Sequence, residues 1–210
     1  MTDHYFTVNP GSARQPREIT AILRGKELRF KTDAGVFSRD RLDLGTKVLV
    51  ESLDLAGVRA PLDLGCGYGP IGLAVAAELP GVQVYMSDLN RRAVELAAEN
   101  AARNGIKNVV IKQGDGFQPW RDLCASGLRF DLVAINPPLR AGKETVLRLF
   151  AEAREYLTPA GQLWAVIRTS QGAKTYLREL QSLFPVAETA AIKSGYRVLR
   201  AALGSSSGWK

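Results

Sequence analysis

Residues 62–72 read LDLGCGYGPIG, and this stretch decides the fold of the chain. An apolar run ends at Leu64, Pro70 stands where a helix can begin, and between them alternate positions are glycine: Gly65, Gly67 and Gly69. Glycine lets a backbone turn tightly and approach a ligand closely, and the free N–H groups of a helix N-terminus follow immediately. The stretch therefore predicts a strand, a ligand-binding turn and a helix in succession.

Outward from this stretch, strand patterns alternate with helical periodicity. Short apolar runs predict strands at residues 60–65, 82–89, 108–115, 130–137 and 161–169. Apolar stripes predict helices at residues 70–79, 91–105, 144–157 and 173–184. The last segment predicts two strands in a hairpin around Ser194-Gly195. This order indicates an α/β protein with a doubly wound, mostly parallel sheet.

The first 60 residues follow another pattern. Residues 4–11 and 26–38 resemble short strands with turns, and residues 45–57 predict a helix with Thr46 near its start. We divide the chain into a small β-rich cap, a main domain and a tail expected to be flexible, at residues 1–45, 46–203 and 204–210.

The composition argues against several classes of protein. No apolar run reaches the roughly 18 residues of a membrane helix, and no signal peptide precedes residue 15, so we expect a cytoplasmic protein. Cys66 and Cys124 lie far apart, which argues against a disulfide framework or a zinc site. His4 is the single histidine, which argues against a Ser-His-Asp triad or a two-histidine metal site. We expect no metal.

Positive charge is concentrated in the last third of the chain. The net charge is +7, and residues 139–210 carry eleven Lys and Arg against five acidic residues. A basic surface beside a binding site favours a polyanionic partner, most often nucleic acid. The alternative is a basic surface that is only solvated.

Three acidic residues stand at the ends of three predicted strands. Asp63 precedes the glycines, and its carboxylate inside the turn would repel a pyrophosphate but suits a ligand that carries an ammonium group. We therefore set aside NAD, although Gly67, Gly69 and Gly72 match its G-x-G-x-x-G fingerprint. Asp88 is placed to hold two ribose hydroxyls, and Asp115 to accept a hydrogen bond from an adenine amino group.

The fourth of these strands ends in Asn136, Pro137 and Pro138. Proline fixes its own φ and restricts the preceding residue to an extended conformation, so the Asn136 side chain and the Pro137 carbonyl are held rigidly. The point where they stand is the ligand crevice of a parallel sheet. The alternative is a strand terminator without a further role.

Together, DLGCGYG, SDLN, GDGF and NPP resemble the motifs of class I S-adenosylmethionine-dependent methyltransferases. More closely, TDAGVFSRDRLDLGT, NPPLRAGKE and IKSGYRVLR resemble the "methyltransferase small" family, which includes ribosomal small-subunit RNA guanine-N2 methyltransferases. The resemblance implies a Rossmann-like sheet of seven strands with the last one antiparallel, and S-adenosyl-L-methionine as the cofactor. It implies further contacts to cofactor or target by Phe37, Ser38, Thr46, Leu89 and Gly116.

An exocyclic amine is a poor nucleophile because its lone pair is delocalised into the ring. The Asn136 side-chain oxygen and the Pro137 carbonyl can each accept one N–H, which directs the lone pair at the sulfonium methyl group. No strong base is required. On this reasoning, Asn136→Asp should be less damaging than Asn136→Ala, because an acceptor oxygen remains.

One position departs from the family pattern. Leu139 stands where amino-methyltransferases often have an aromatic residue that stacks on a flipped base. Either Leu139 packs on the base, or an aromatic elsewhere does so, and Phe37 is our choice. Arg140 and Lys143 follow and can hold phosphates, or can be solvated charges at a helix start.

The first functional hypothesis is methylation of guanine N2 in ribosomal RNA, free or in a ribosomal particle, by a monomer or homodimer. The second is the same chemistry on adenine, a protein glutamine or a small amine. The third is a catalytically silent scaffold that binds RNA or cofactor, against which Asp63, Asp88 and Asn136 argue.

Overall fold

The computed structural model describes residue 8 and residues 11–204. Within this part, the elements in chain order are β1 (Arg17–Leu23), β2 (Lys26–Thr32), α1 (Leu44–Ser52), β3 (Pro61–Leu64), α2 (Pro70–Glu78), β4 (Val84–Asp88), α3 (Arg91–Arg103), β5 (Val109–Gln113), α4 (Arg121–Ala125), β6 (Phe130–Ile135), α5 (Lys143–Tyr156), β7 (Leu157–Arg168), α6 (Ala173–Leu183), β8 (Val186–Lys193) and β9 (Tyr196–Ala202). None of the helices described here combines the length and apolar character that a membrane span requires.

The main sheet has seven strands in the order β5-β4-β3-β6-β7-β9-β8. Strands β3 to β7 run parallel, and β9 is antiparallel to both of its neighbours. One apolar cluster joins α1, α2 and α3 to one face of the sheet, and a second joins α5 and α6 to the other. The predicted doubly wound, mostly parallel sheet with an antiparallel last strand is confirmed.

Some element boundaries differ from the expectation. The sequence pattern missed β1, which pairs with β2 through a turn at Arg24-Gly25 where both residues have positive φ. Strand β2 ends at Thr32, six residues earlier than expected, because the chain turns at residues 33–38. Short helix α4 was also not expected. Most of the predicted strand at residues 4–11, and the predicted tail after residue 204, lie outside the described residues.

Two asparagines of α3 fasten the β1–β2 hairpin to the main sheet. Asn100 accepts from Lys31 N at 2.7 Å and donates to Lys31 O at 2.9 Å, and Asn104 repeats this pattern with Arg29 at 2.9 and 2.8 Å. Asn100 and Asn104 are four residues apart, a helical rise of about 6 Å, which approximates the span of two strand residues. The side-chain amides therefore pair with the free edge of β2 as a neighbouring strand would.

Gly72, in the first turn of α2, lets this helix pack directly on β4. A Cβ at Gly72 would lie 2.7 Å from Cγ and Sδ of Met86, which is fully buried. This close packing sets the distance between the helix N-terminus and the sheet edge that carries the site.

Gly72→Ala should therefore lower the free energy of unfolding by about 1–2 kcal/mol, because overpacking outweighs the gain in helix propensity. Urea denaturation measures this. The matched control is Gly81→Ala, where a Cβ meets nothing within 4 Å, and it should be near neutral. Equal stability of the two variants would contradict the packing argument.

Candidate active site

A cavity of about 450 Å³ opens at the carboxyl edge of the sheet, where β3, β4, β5 and β6 end side by side. Twelve of the residues singled out in the sequence line it: Phe37, Ser38, Thr46, Gly65, Gly67, Asp88, Leu89, Asp115, Gly116, Asn136, Pro137 and Pro138. Five others do not line it: Asp63, Gly69, Leu139, Arg140 and Lys143. The fold thus brings residues that lie more than one hundred positions apart in the sequence into one cleft.

The glycine loop is shaped by backbone conformations that favour glycine. Gly67 has φ +56° and Gly69, at the N-terminus of α2, has φ +99°. The Gly67 N–H donates to Asp88 Oδ2 at 2.8 Å, and a Cβ at Gly67 would meet no atom within 4 Å. The loop is therefore held in place through a backbone N–H group, and open space for a ligand lies beside it.

Asp63 lies behind this loop and not on the cavity wall. Its Oδ2 accepts from Gly72 N at 2.8 Å, and no donor among the described residues reaches its buried Oδ1. Burial raises the pKa of Asp63 to about 7, the bond from Gly72 opposes this rise, and the charge of Asp88 adds to it. Asp63 points from β3 toward α2, and its contact with a ligand ammonium group stays a prediction. Its visible role is to anchor the first turn of that helix.

Asp88 stands at the end of β4 with its carboxylate in the cleft. It accepts from Gly67 N and from Asn90 N, each at 2.8 Å. Burial raises the pKa of Asp88 to about 6, and the two backbone hydrogen bonds oppose this rise. A carboxylate held in this way gains from further donors, such as a pair of hydroxyls, because they favour its charged form.

Asp115 lines the cavity near its rim. Both of its oxygens accept from Arg148 Nη2, at 2.8 and 3.0 Å, and Arg148 also donates to Glu152 at 2.7 Å. This pairing orients the Asp115 carboxylate, which keeps further acceptor positions for a ligand.

Asn136 has both amide protons engaged. Its Nδ2 donates to Asp43 Oδ2 and to Thr46 Oγ1, each at 3.0 Å. Asp43 is the N-cap of α1 and its Oδ2 also accepts from Thr46 N at 2.7 Å. Among the described residues, no group donates to Asn136 Oδ1. The side chain is therefore fixed with its oxygen as the available acceptor.

The Pro137 carbonyl accepts from Leu139 N at 2.8 Å. Pro138 between them has φ −76° and ψ 74°, which is an inverse γ-turn. The turn sets the direction of the carbonyl, and one lone pair of its oxygen is left for another donor.

Residues outside the expected set also line the cavity. Sequence reasoning missed Asp43, although an Asp before a helix is an ordinary N-cap signal, because its bond to Asn136 spans 93 positions. It also missed Tyr68 and Arg148. Ser38, which was expected, has φ +58° and donates from Oγ to Arg41 O at 2.6 Å.

The two cations expected to bind phosphate differ in their surroundings. The Lys143 ammonium group is paired with Glu179 at 2.7 Å, which neutralises it. Arg140 is exposed on the short turn after the prolines.

Comparison with known proteins places these features in one family. The family model described as the methyltransferase small domain matches residues 27–200. YbxB of Bacillus subtilis is 39% identical over 202 residues, which cover 96% of this chain and 98% of that protein. The large-subunit ribosomal RNA methyltransferase G of Streptomyces avermitilis is 34% identical over 94% of this chain and 53% of its own length.

Among solved structures, the T. thermophilus 16S ribosomal RNA N2-guanine methyltransferase RsmC, in complex with AdoMet and guanosine, superposes with a TM-score of 0.77. It is 26% identical, and the match covers 92% of this chain and 52% of that one. The chain thus spans about half the length of these two ribosomal RNA methyltransferases. On the match over residues 27–200, the chain belongs to the methyltransferase small domain family.

Proposed function

We propose that this protein transfers the methyl group of S-adenosyl-L-methionine to an exocyclic amine, and that the amine is N2 of a guanine in ribosomal RNA. One observation carries the proposal: the Asn136 amide nitrogen is tied to Asp43 and Thr46, so only its oxygen is offered to a ligand. An acceptor oxygen at this place suits a substrate that brings N–H groups.

The cleft fits the proposed cofactor. Its volume of about 450 Å³ lies in the range of small-molecule sites. Asp88 would hold the ribose hydroxyls, Asp115 would accept from the adenine amino group, and the Gly65–Gly69 loop would lie along the remainder. When bound, S-adenosyl-L-methionine supplies an electrophilic methyl group.

The chain's own contribution is to position the amine. Asn136 Oδ1 accepts one N–H and the Pro137 carbonyl accepts the other, so the nitrogen can become pyramidal and direct its lone pair at the methyl group. As positive charge develops on the nitrogen, both oxygens stabilise it, and Asp43 adds a negative charge behind Asn136. Nothing in this sequence of events requires a general base.

The comparisons support the choice of amine. The solved relative RsmC acts on guanine N2 of 16S ribosomal RNA and was crystallised with guanosine, which supports guanine here. The Streptomyces relative acts on the large subunit, so its name supports ribosomal RNA without choosing the subunit. Both ribosomal RNAs are therefore needed as substrates in the test.

A basic row on the sheet edge supports RNA as the substrate. Arg168, Tyr196 and Lys193 are register partners across β7, β9 and β8. Strand alternation places them on the α1 face, where a Cβ at Gly45 would lie 2.7 Å from the Tyr196 ring. Arg168 and Lys193 are exposed, and no acid among the described residues pairs with either.

This row lies beside the proposed reaction centre. Gly45, which contacts Tyr196, directly follows Asp43 and the half-exposed Leu44. A strand of RNA that places a base at Asn136 can therefore lay its neighbouring phosphates on Arg168 and Lys193. We propose these two residues, with Arg140, as the phosphate contacts, in place of the ion-paired Lys143.

Asn136→Ala should lower the rate of methyl transfer by about 10²–10³, the effect of losing one preorganised polar group. Asn136→Asp should be at least as damaging at neutral pH, because it places a second carboxylate about 3 Å from Asp43. This reverses the expectation from the sequence alone. Single-turnover transfer from labelled cofactor to unmodified transcripts of both ribosomal RNAs measures the rate and locates the label.

Variants of Asp43 test whether its hydrogen bond to Asn136 positions that side chain for catalysis. Asp43→Asn keeps an acceptor for Asn136 and should retain most activity, whereas Asp43→Ala should lose about tenfold or more. Thermal melts show that the variants are folded. If folded Asn136→Ala transfers methyl groups at the wild-type rate, Asn136 is no part of the mechanism; label on another amine would refute the guanine assignment.

Cofactor affinity should depend on pH through Asp88. Ribose hydroxyls bind better to the charged carboxylate, so affinity should fall as the pH drops through about 6 and Asp88 becomes protonated. Calorimetry at several pH values measures this. Asp88→Asn should bind more weakly at neutral pH and lose most of the dependence. An unchanged slope in that variant would remove Asp88 from the ribose site.

Replacing Arg168 and Lys193 together by Ala should weaken RNA binding and reduce the slope of log K against log salt by about 0.7 for each lost phosphate contact. Cofactor affinity should stay the same. The matched control replaces Arg59 and Lys107, exposed cations that precede β3 and β5 at the opposite edge of the sheet.

The control pair removes the same charge and should leave the salt dependence near that of the wild type. Fluorescence anisotropy with a labelled mixed-sequence single-stranded RNA gives both slopes. Equal losses of RNA affinity in the two double variants would mean that binding depends only on net charge. That result would contradict phosphate contacts by Arg168 and Lys193.

A further inference from the structure

The buried hydroxyl of Tyr68 has no hydrogen-bond partner in the part of the chain that the structure describes. Tyr68 lies in the glycine loop and lines the cavity, and its side chain is only 2% exposed. Among the described residues, none offers a donor or acceptor within hydrogen-bond distance of this hydroxyl. A buried polar group left unpaired costs free energy, whereas phenylalanine would fill the same space without that cost.

The ring of Tyr68 is held firmly in place. It packs edge-on against Phe30 of β2 with a centroid distance of 5.6 Å, and the Tyr68 carbonyl accepts from Asn100 Nδ2 at 2.9 Å. The position of the hydroxyl is therefore set by the hairpin and by α3, and it does not depend on a ligand.

The electrostatics of the hydroxyl make it a donor. Burial raises the pKa of Tyr68 well above its usual value, and the nearby charge of Asp43 raises it further. The phenol stays protonated at physiological pH, so it cannot act as a base. Tyr68 lines the same cavity as Asp43 and Asn136.

We propose that the Tyr68 hydroxyl donates a hydrogen bond to a neutral acceptor atom of the target base, beside the amine that Asn136 holds. This rests on the proposed function. A neutral acceptor, such as a ring nitrogen or carbonyl oxygen, fits better than the carboxylate of the cofactor, because the Asp43 charge would repel an anion at this point. Asn136 would recognise a donor of the base and Tyr68 an adjacent acceptor. Guanine presents this pattern at N2 and its neighbouring ring nitrogen.

If the hydroxyl has this role, removing it should weaken RNA binding without destabilising the fold. Tyr68→Phe removes only the hydroxyl and keeps the ring contact with Phe30. Its melting temperature should equal or exceed that of the wild type, because an unpaired buried group is removed. Its KM for RNA should rise about tenfold, the effect of one lost hydrogen bond, while the calorimetric Kd for the cofactor stays the same.

The matched control is Tyr176→Phe, a buried tyrosine of α6 that packs on Phe150 of α5 and does not line the cavity. It should change neither KM nor Kd. Thermal melts, calorimetry with S-adenosyl-L-methionine, and steady-state transfer to the ribosomal RNA transcript that the wild type modifies make up the experiment.

Three results would overturn the proposal. A lower melting temperature for Tyr68→Phe would show a structural role. A weaker cofactor Kd with unchanged KM for RNA would move the contact to the cofactor. No change in either constant would show that no ligand uses the hydroxyl. If the wild type modifies neither RNA, the proposed function fails instead, and the melts and calorimetry still report on the hydroxyl.

Discussion

The carboxylate of Asp43 joins two segments that are 93 positions apart, and the chemistry of the cleft depends on this junction. One oxygen accepts from the first turn of α1 and from the Asn136 amide. The same oxygen therefore caps helix α1 and orients the Asn136 side chain. Because the amide nitrogen donates to Asp43 and Thr46, the oxygen of Asn136 is left as the group that the side chain can offer to a ligand.

The N-terminal hairpin is hydrogen-bonded to helix α3 and precedes a segment that lines the site. It leads into the segment that carries Phe37, Ser38 and Asp43, and α3 holds it through the paired amides of Asn100 and Asn104. Asn100 also donates to the Tyr68 carbonyl in the glycine loop. A single buried side chain thus connects the hairpin edge with the glycine loop.

Two buried acids organise the loop from opposite sides. Asp63 holds the Gly72 N–H at the start of α2, and Asp88 holds the Gly67 N–H within the turn. Burial raises the pKa of each carboxyl, and each backbone hydrogen bond recovers part of that cost. These few backbone donors offset part of the free-energy cost of burying the carboxylates. The Asp88 carboxylate can still gain hydrogen bonds from a ligand.

The sequence by itself determined the strand–helix order, the glycine loop and the strand ends at Asp88, Asp115 and Asn136, because hydrophobic period and turn residues are local properties. It could not place Asp63 behind the loop, or see that Lys143 is neutralised by Glu179. The expectation for Asn136→Asp also changed once the Asp43 carboxylate was seen beside the Asn136 amide. Those features depend on which side chains meet across the sheet, and only the tertiary structure decides that, because strand register and helix packing bring distant residues within hydrogen-bond distance.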